Sequence, residues 1–271
     1  MAGDMRSSPP ILPSTSNPDA AINHETSINY WSSVSSDVNG MLGGFPQTSR
    51  IDLQGSANFL AKLRRKHKQV QQSRSQTEGG ITESTSVGQE LGLMERVADC
   101  GAGIGRITKG FLLGVGKSVD VVEPVKKFTD ELVKSLDEEK EENGSKSKGE
   151  VNEVINLGLQ DWTPSPGKYN LIWNQWCLGH LTDAQLVAYL KRCKDGLVDS
   201  SSSTEAWIVV KENMASGVQD IYDEEDSSVT RTDQKFRKLF SQAGLQIVAT
   251  EVQRGFPREL FAVRMYALRP E

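Results

Sequence analysis

From Glu95 onward the chain alternates short apolar runs with amphipathic ones, and this alternation narrows the fold more than any other feature. "ERVADC", "SVDVVE", "EVINLGL", "YNLIWNQ" and "AWIVVKE" read as strands. Among them "GRITKGFLLG", "VKKFTDELVKSL", "DAQLVAYLKRCKDGL" and "TDQKFRKLFSQAG" read as helices. The third of these places Leu186, Val187 and Leu190 on one face, and Gly244 closes the fourth. Repeated β-α units predict an α/β fold with a mostly parallel sheet and helices on both faces. "LQIVATEVQ" and "LFAVRMYAL" then follow with only a loop between them, which predicts an antiparallel hairpin at one edge.

The flanks are more polar. Residues 1–27 are rich in Ser, Pro, Asn and Thr and read as a disordered tail before a domain spanning 28–271. Within it, 28–66 reads as a helical extension. "NYWSSVSSDVNGMLGGF" gives a short helix and an ordered loop. "SRIDLQGSANFLAKLRRK" has apolar residues at Ile51, Leu53, Phe59, Leu60 and Leu63, and its latter part reads as an amphipathic helix. Two polar stretches, near 67–90 and 137–150, read as insertions. At 271 residues the chain can bury a substantial core. No apolar run is long enough to span a bilayer, and the first residues lack the apolar stretch of a secretory signal, so no membrane role is expected. The formal charge of −5 argues against nonspecific nucleic-acid binding. Cys100, Cys177 and Cys193 form neither a metal spacing nor a disulfide framework. They read as thiols in a reducing compartment, and no metal site is expected.

"VADCGAGIGR" passes from strand to helix through Gly101, Gly103 and Gly105. Glycines there permit a tight turn and close backbone approach to a ligand. The spacing is G-x-G-x-G, one residue short of the dinucleotide fingerprint, with Asp99 two residues ahead. Glu123 ends the next strand, where a carboxylate can accept both ribose hydroxyls of an adenosine ligand. A bare turn and an NAD site are the alternatives. The set resembles motif I and its acidic partner in methyltransferases that use S-adenosylmethionine (SAM).

The resemblance extends over roughly Tyr30 to Arg269. "NYWSSVSSDVNGMLGGF", "DCGAGIGRITK", "GLQDWTP", "IWNQWCLGHLTD", "VVKENMA" and "DEEDSSVTR" occur in this order. Together they are similar to the protein N-terminal methyltransferase family, which methylates the α-amine of proteins beginning X-Pro-Lys after loss of the initiator Met. The resemblance implies a seven-stranded, Rossmann-like class I methyltransferase sheet with an N-terminal helical lid. It implies SAM contacts at Gly101, Gly103, Arg106, Glu123, Pro124, Val125, Leu159, Gln160 and Gln175. Arg106 would pair with the methionine carboxylate, and Leu159 and Gln160 would flank the adenine. Trp31, Leu42, Trp176, Asn213, Asp223 and Glu224 would line the peptide channel. His180 and Asp226 would serve proton removal. Ribosomal proteins are among the substrates implied, met in the cytoplasm. The basic cluster "KLRRKHK" leaves the nucleus open, and the sequence gives no oligomeric state.

An α-amine has a reference pKa of about 7.7–8.0 against about 10.4 for a lysine side chain, so freeing its lone pair costs about 3.5 kcal/mol less. That favours an α-amine acceptor where the available base is His or Asp. On this reading Asp226 holds the amine while His180 takes its proton, directly or through water, or the two act as a pair. Trp176 would stack on the second-position proline, Asn213 would hold a substrate carbonyl, and Asp223 and Glu224 would pair with the third-position lysine. Trp173, further back in its strand, is expected in the core. Taken singly, His180 fits a structural histidine, the acidic run a solvated loop, Trp31 an anchor and Asn213 a turn residue. A small-molecule amine methyltransferase and a noncatalytic SAM- or peptide-binding module are the competing readings. The chain departs from the family pattern at Phe261, where a tyrosine is usual, and at "GGFPQTS". There Pro46 would stiffen the lid and Thr48 would make the channel wall more polar. Glu123 stands where Asp is common and keeps the carboxylate.

Overall fold

The computed structural model describes residues 17–77, 91–143, 148–199 and 204–271. Its strands are β1 (Met94–Cys100), β2 (Gly116–Val122), β3 (Glu150–Ile155), β4 (Leu171–Gln175), β5 (Trp207–Met214), β6 (Ile221–Asp223), β7 (Ser228–Thr230), β8 (Leu245–Val252) and β9 (Ala262–Pro270). Seven of them form one sheet in the order β3-β2-β1-β4-β5-β9-β8. β1 to β5 pair in parallel, while β9 runs antiparallel to both β5 and β8. The expected edge hairpin is present, with β8 outermost. The last four residues of β1 and of β2 and all of β4 are buried, as strands covered on both faces require.

The helices are α1 (His24–Ser33), α2 (Val38–Met41), α3 (Ser49–Thr77), α4 (Arg106–Gly110), α5 (Lys126–Asn143), α6 (Asp183–Gly196) and α7 (Asp233–Gln242). Strand alternation divides the core between the two faces. Ala98, Ile172, Ile208 and Val210 pack with Leu186 and Leu190 of α6 and Phe236 and Phe240 of α7. Val97, Leu171, Trp173 and Val209 pack with Phe59, Leu60 and Leu63 of α3. Trp173 is a core residue as expected, edge-on to Phe111 at 5.0 Å. All three cysteines are free and buried.

Three expectations from composition change. Part of the expected tail, from Asn17, is ordered: Pro18–Ala21 form a 3-10 turn, and Asn23 caps α1 by accepting from Thr26 N. Asp19 accepts from Asp183 N at the start of α6, which ties this segment down. Residues 1–16 lie outside the described residues. The first insertion is helical at its start, because α3 runs on to Thr77, while 78–90 lie outside the described residues. The second begins as the end of α5, which reaches Asn143. Ion pairs one turn apart, such as Lys134–Glu138 at 3.8 Å, support a helix that composition alone makes look like a linker. Among the described residues no helix is long and apolar enough to cross a membrane, and no cluster of His, Cys, Asp or Glu could hold a metal ion.

Candidate active site

A cavity opens at the carboxyl ends of β1, β2 and β4, where ligands of open α/β sheets bind. The turn after β1 places Gly101, Gly103 and Gly105 at φ of 68°, 55° and 73°, a region that L side chains rarely adopt. A Cβ on Gly101 would lie 2.3 Å from Cys177 Cβ, so the next loop also needs glycine there. Glu123, just past β2, braces the turn: Oε2 accepts from Gly103 N at 2.9 Å and Oε1 from Val125 N at 2.8 Å. Burial pushes its carboxyl up to about 7, against the pull of those two backbone N–H groups. Pro124 and Val125 continue the wall beside it, and Leu159 and Gln160 close it from the loop after β3. That loop is pinned by Arg192 of α6, which donates to the carbonyls of Leu159, Gln160 and Trp162.

Arg106 opens α4 and also faces the cavity. Its Nη1 lies 2.7 Å from Asp52 Oδ2, and its guanidinium carbon lies 5.5 Å from the centre of the Trp176 ring. Gln175, at the end of β4, lines the cavity with its amide already committed on both sides. Oε1 accepts from Trp173 Nε1 at 3.2 Å, and Nε2 donates to both oxygens of Asp52 at 2.9 Å.

After β4 the chain turns sharply. Trp176 adopts φ 55°, and its indole Nε1 is buried without a partner among the described residues. Glu212 of β5 fixes the turn by accepting from Cys177 N and Leu178 N, both at 2.9 Å. A single 3-10 turn, Leu178–His180, then brings His180 to the cavity, and Thr182 and Gln185 form a capping box that starts α6. Both nitrogens of His180 are engaged by α1. Trp31 Nε1 donates to Nε2 at 3.2 Å, and Nδ1 lies 2.8 Å from Ser27 Oγ. With Nε2 accepting, the neutral ring carries its proton on Nδ1 and donates it to Ser27. Burial lowers the His180 pKa, partly opposed by Asp226.

Asp226 lies in the turn of the β6–β7 hairpin, an element that the acidic composition of "DEED" hid. Its Oδ1 is buried with no partner among the described residues, and the next residue, Ser227, adopts φ 54°. Asp223 and Glu224 are exposed. Tyr30 faces this loop, and its phenol pKa is raised by burial and by Glu225, Asp226 and Asp223.

The structure therefore gathers all nine residues expected on the cofactor side, with Trp31, Trp176 and His180, around one cavity. It does not bring Leu42, Asn213, Asp223, Glu224 or Asp226 to that wall; the last three lie on the loop between β6 and β7 or at its edge. Leu42 caps α2, and its neighbour Met41 faces the cavity instead. Asn213 is half-buried in β5 beside Val263. Thr48 is buried and donates to Phe45 O, so it adds no polarity to a channel wall, and Pro46 begins a 3-10 turn. Sequence reasoning missed Asp52, Lys211, Ser27 and His24. The last lines the cavity with Nε2 at 3.0–3.2 Å from the Gln185 amide.

A family model described as AdoMet dependent proline di-methyltransferase matches residues 19–269. The chain belongs to this family. An alpha N-terminal protein methyltransferase 1 of Schizosaccharomyces pombe is 41% identical over 254 residues, covering 91% of this chain and 96% of the relative. An N-terminal Xaa-Pro-Lys N-methyltransferase 1 of Xenopus tropicalis is 40% identical over 89% of this chain and 92% of its own length. Among solved structures, a SAM-dependent methyltransferase of Leishmania major is similar at TM-score 0.70 and 31% identity, covering 91% of this chain and 82% of that one. The cavity fits the cofactor of the SAM-dependent methyltransferases to which the chain belongs. The glycine turn leaves a wall without side chains, since a Cβ on Gly103 would lie 2.6 Å from Met41 Sδ. Arg106 offers a cation for an amino-acid carboxylate, and Glu123 a carboxylate for a ribose diol.

Proposed function

We propose that this chain methylates the α-amine of proteins that begin X-Pro-Lys, with ribosomal proteins among its substrates in the cytoplasm. The observation that carries the reading is the orphaned, buried Oδ1 of Asp226 beside a histidine held neutral. An ammonium has donors and no acceptor, so it complements a carboxylate oxygen with free lone pairs. Bound SAM supplies an electrophilic methyl on a sulfonium. Asp226 accepts one N–H of the terminal amine, orients the nitrogen and takes its proton. The freed lone pair would then be available to that methyl, with the cofactor held by Arg106 and Glu123. His180, with both nitrogens engaged, holds Trp31 and Ser27 across the site and forms a proton-accepting pair with Asp226 once Trp31 moves aside. Trp176 offers its ring, and its free indole N–H, to the second-position proline and the adjoining carbonyl. Asp223, Glu224 and Glu225 surround the third-position lysine with carboxylates, with Tyr30 as one wall.

Mass spectrometry after incubation with SAM and three peptides tests this. One begins Ser-Pro-Lys, one is the same with its α-amine acetylated, and one begins Ser-Pro-Gln. Methylation of the first alone is expected. Methylation of the acetylated peptide would move the acceptor to the lysine side chain and overturn the reading.

A further inference from the structure

Three elements converge on Asp52, which is fully buried on α3. Arg106 of α4 and Lys211 of β5 form ion pairs with it at 2.7 and 2.5 Å, and Gln175 of β4 donates to both of its oxygens. Lys211 is itself fully buried, and its ammonium also donates to Asp52 O, Ser56 Oγ and Gln253 Oε1 at 2.9–3.0 Å. One carboxylate thus fixes two cations and an amide. Only Arg106 and Gln175 reach the cavity; Asp52 and Lys211 lie behind them. Beside its contact with the Trp176 ring, the ion-pair and hydrogen-bond partners of the Arg106 guanidinium among the described residues are both on Nη1: Asp52 and, at 3.5 Å, Ser49 Oγ. Its Nη2 and Nε keep their donors for a ligand.

We propose that Asp52 is a positioning residue for the amino-acid end of the cofactor. It holds the Arg106 fork by one edge so that the other edge meets the ligand carboxylate, and it turns the Gln175 amide to a fixed face. An arginine left unheld would lose orientation, and bidentate pairing depends on orientation. The consequence reaches beyond one side chain. The N-terminal extension, expected to serve the peptide as a lid, also forms part of the cofactor site through α3. The proposal rests on the SAM-dependent reading of this cavity and on nothing about the methyl acceptor.

Calorimetric binding to the full chain tests it with two ligands. S-adenosylhomocysteine carries the amino-acid end, and 5′-methylthioadenosine carries the same nucleoside and thioether without it. For Asp52→Asn, the Kd of S-adenosylhomocysteine should rise roughly tenfold or more, as expected when a charged hydrogen-bond partner is lost, while that of methylthioadenosine holds within about twofold. Equal losses for both ligands would make Asp52 merely structural, and an unchanged S-adenosylhomocysteine Kd would remove its role. Should Asp52→Asn fail to fold because Lys211 is left buried and unpaired, the double variant Asp52→Asn, Lys211→Met removes both charges. It should fold and show the same ligand-selective loss, and full affinity for S-adenosylhomocysteine would overturn the proposal. No peptide takes part, so a wrong acceptor assignment would leave these results unchanged.

Discussion

Asp226 and His180 differ in the property that decides which can touch an incoming amine. Asp226 Oδ1 has no partner among the described residues, whereas His180 Nε2 accepts from Trp31 and Nδ1 meets Ser27. Asp226→Asn should therefore lower kcat by roughly 10²-fold or more, in the range of a lost acid-base group, with S-adenosylhomocysteine affinity unchanged. His180→Gln should cost less. Steady-state kinetics on a Ser-Pro-Lys peptide decide the order, and a larger fall for His180→Gln would make the histidine the direct base. Trp31→Phe should uncap Nε2 and raise the His180 pKa, read by NMR titration of the imidazole. The sequence exposed His180, Asp226 and Trp176 because each sits in a motif. It hid Asp52, which shares the buried stripe of α3 with Ser56, Phe59, Leu60 and Leu63. A carboxylate at a core position, and a lysine inside the apolar strand "AWIVVKE", are mutual signals, since a buried charge needs a partner. Neither is readable until both are suspected of being buried.

At the scale of elements, the strand-helix order and the edge hairpin were legible because period-2 and period-3.6 patterns persist over whole segments. The ends of α3 and α5 were not, because Lys- and Glu-rich helical turns and linkers have the same composition. Nor was the β6–β7 hairpin, whose strands span three residues each. The glycine turn shows two separable demands. Gly101 needs both its φ of 68° and the space that Cys177 Cβ would otherwise contest at 2.3 Å. Gly43 has φ 54°, yet nothing lies within 4 Å of its would-be Cβ. Gly43→Ala should cost about 1–2 kcal/mol, the left-handed penalty alone. Gly101→Ala should cost more and also weaken S-adenosylhomocysteine binding. Urea midpoints and calorimetry on the two variants check both statements, and equal destabilisation would mean that the Cys177 contact relaxes freely.

Across the whole molecule, three buried carboxyls set a pH dependence of unusual sign. Burial raises Asp99 to about 6 and Glu123 and Glu212 to about 7. Between the ordinary carboxyl range and these values the folded chain holds protons that the unfolded chain has released. Stability must then fall as pH rises from about 4 to about 7. His180, with its lowered pKa, acts in the opposite direction below about 6.5, but it is one group against three. Asp183 and Asp233 are held below their ordinary value, Asp183 by Lys235 and Arg231 and Asp233 by Arg237 and Tyr266, so their contribution is lost only in more acid solution. The thermal midpoint of the ligand-free protein should thus decline from pH 5 to 7.5, and Glu212→Gln should flatten the decline. Cofactor binding should slope the other way. A ribose diol donates to a carboxylate better than to a carboxylic acid, so binding draws the proton off Glu123, and affinity should fall as pH drops below about 7. The midpoint shift produced by S-adenosylhomocysteine should therefore grow with pH while the ligand-free midpoint falls. Glu123→Gln should abolish the growth of that shift, whereas Glu212→Gln should leave it intact. A shift independent of pH in the unaltered protein would mean that Glu123 braces the glycine turn through Gly103 and Val125 without contacting the ligand.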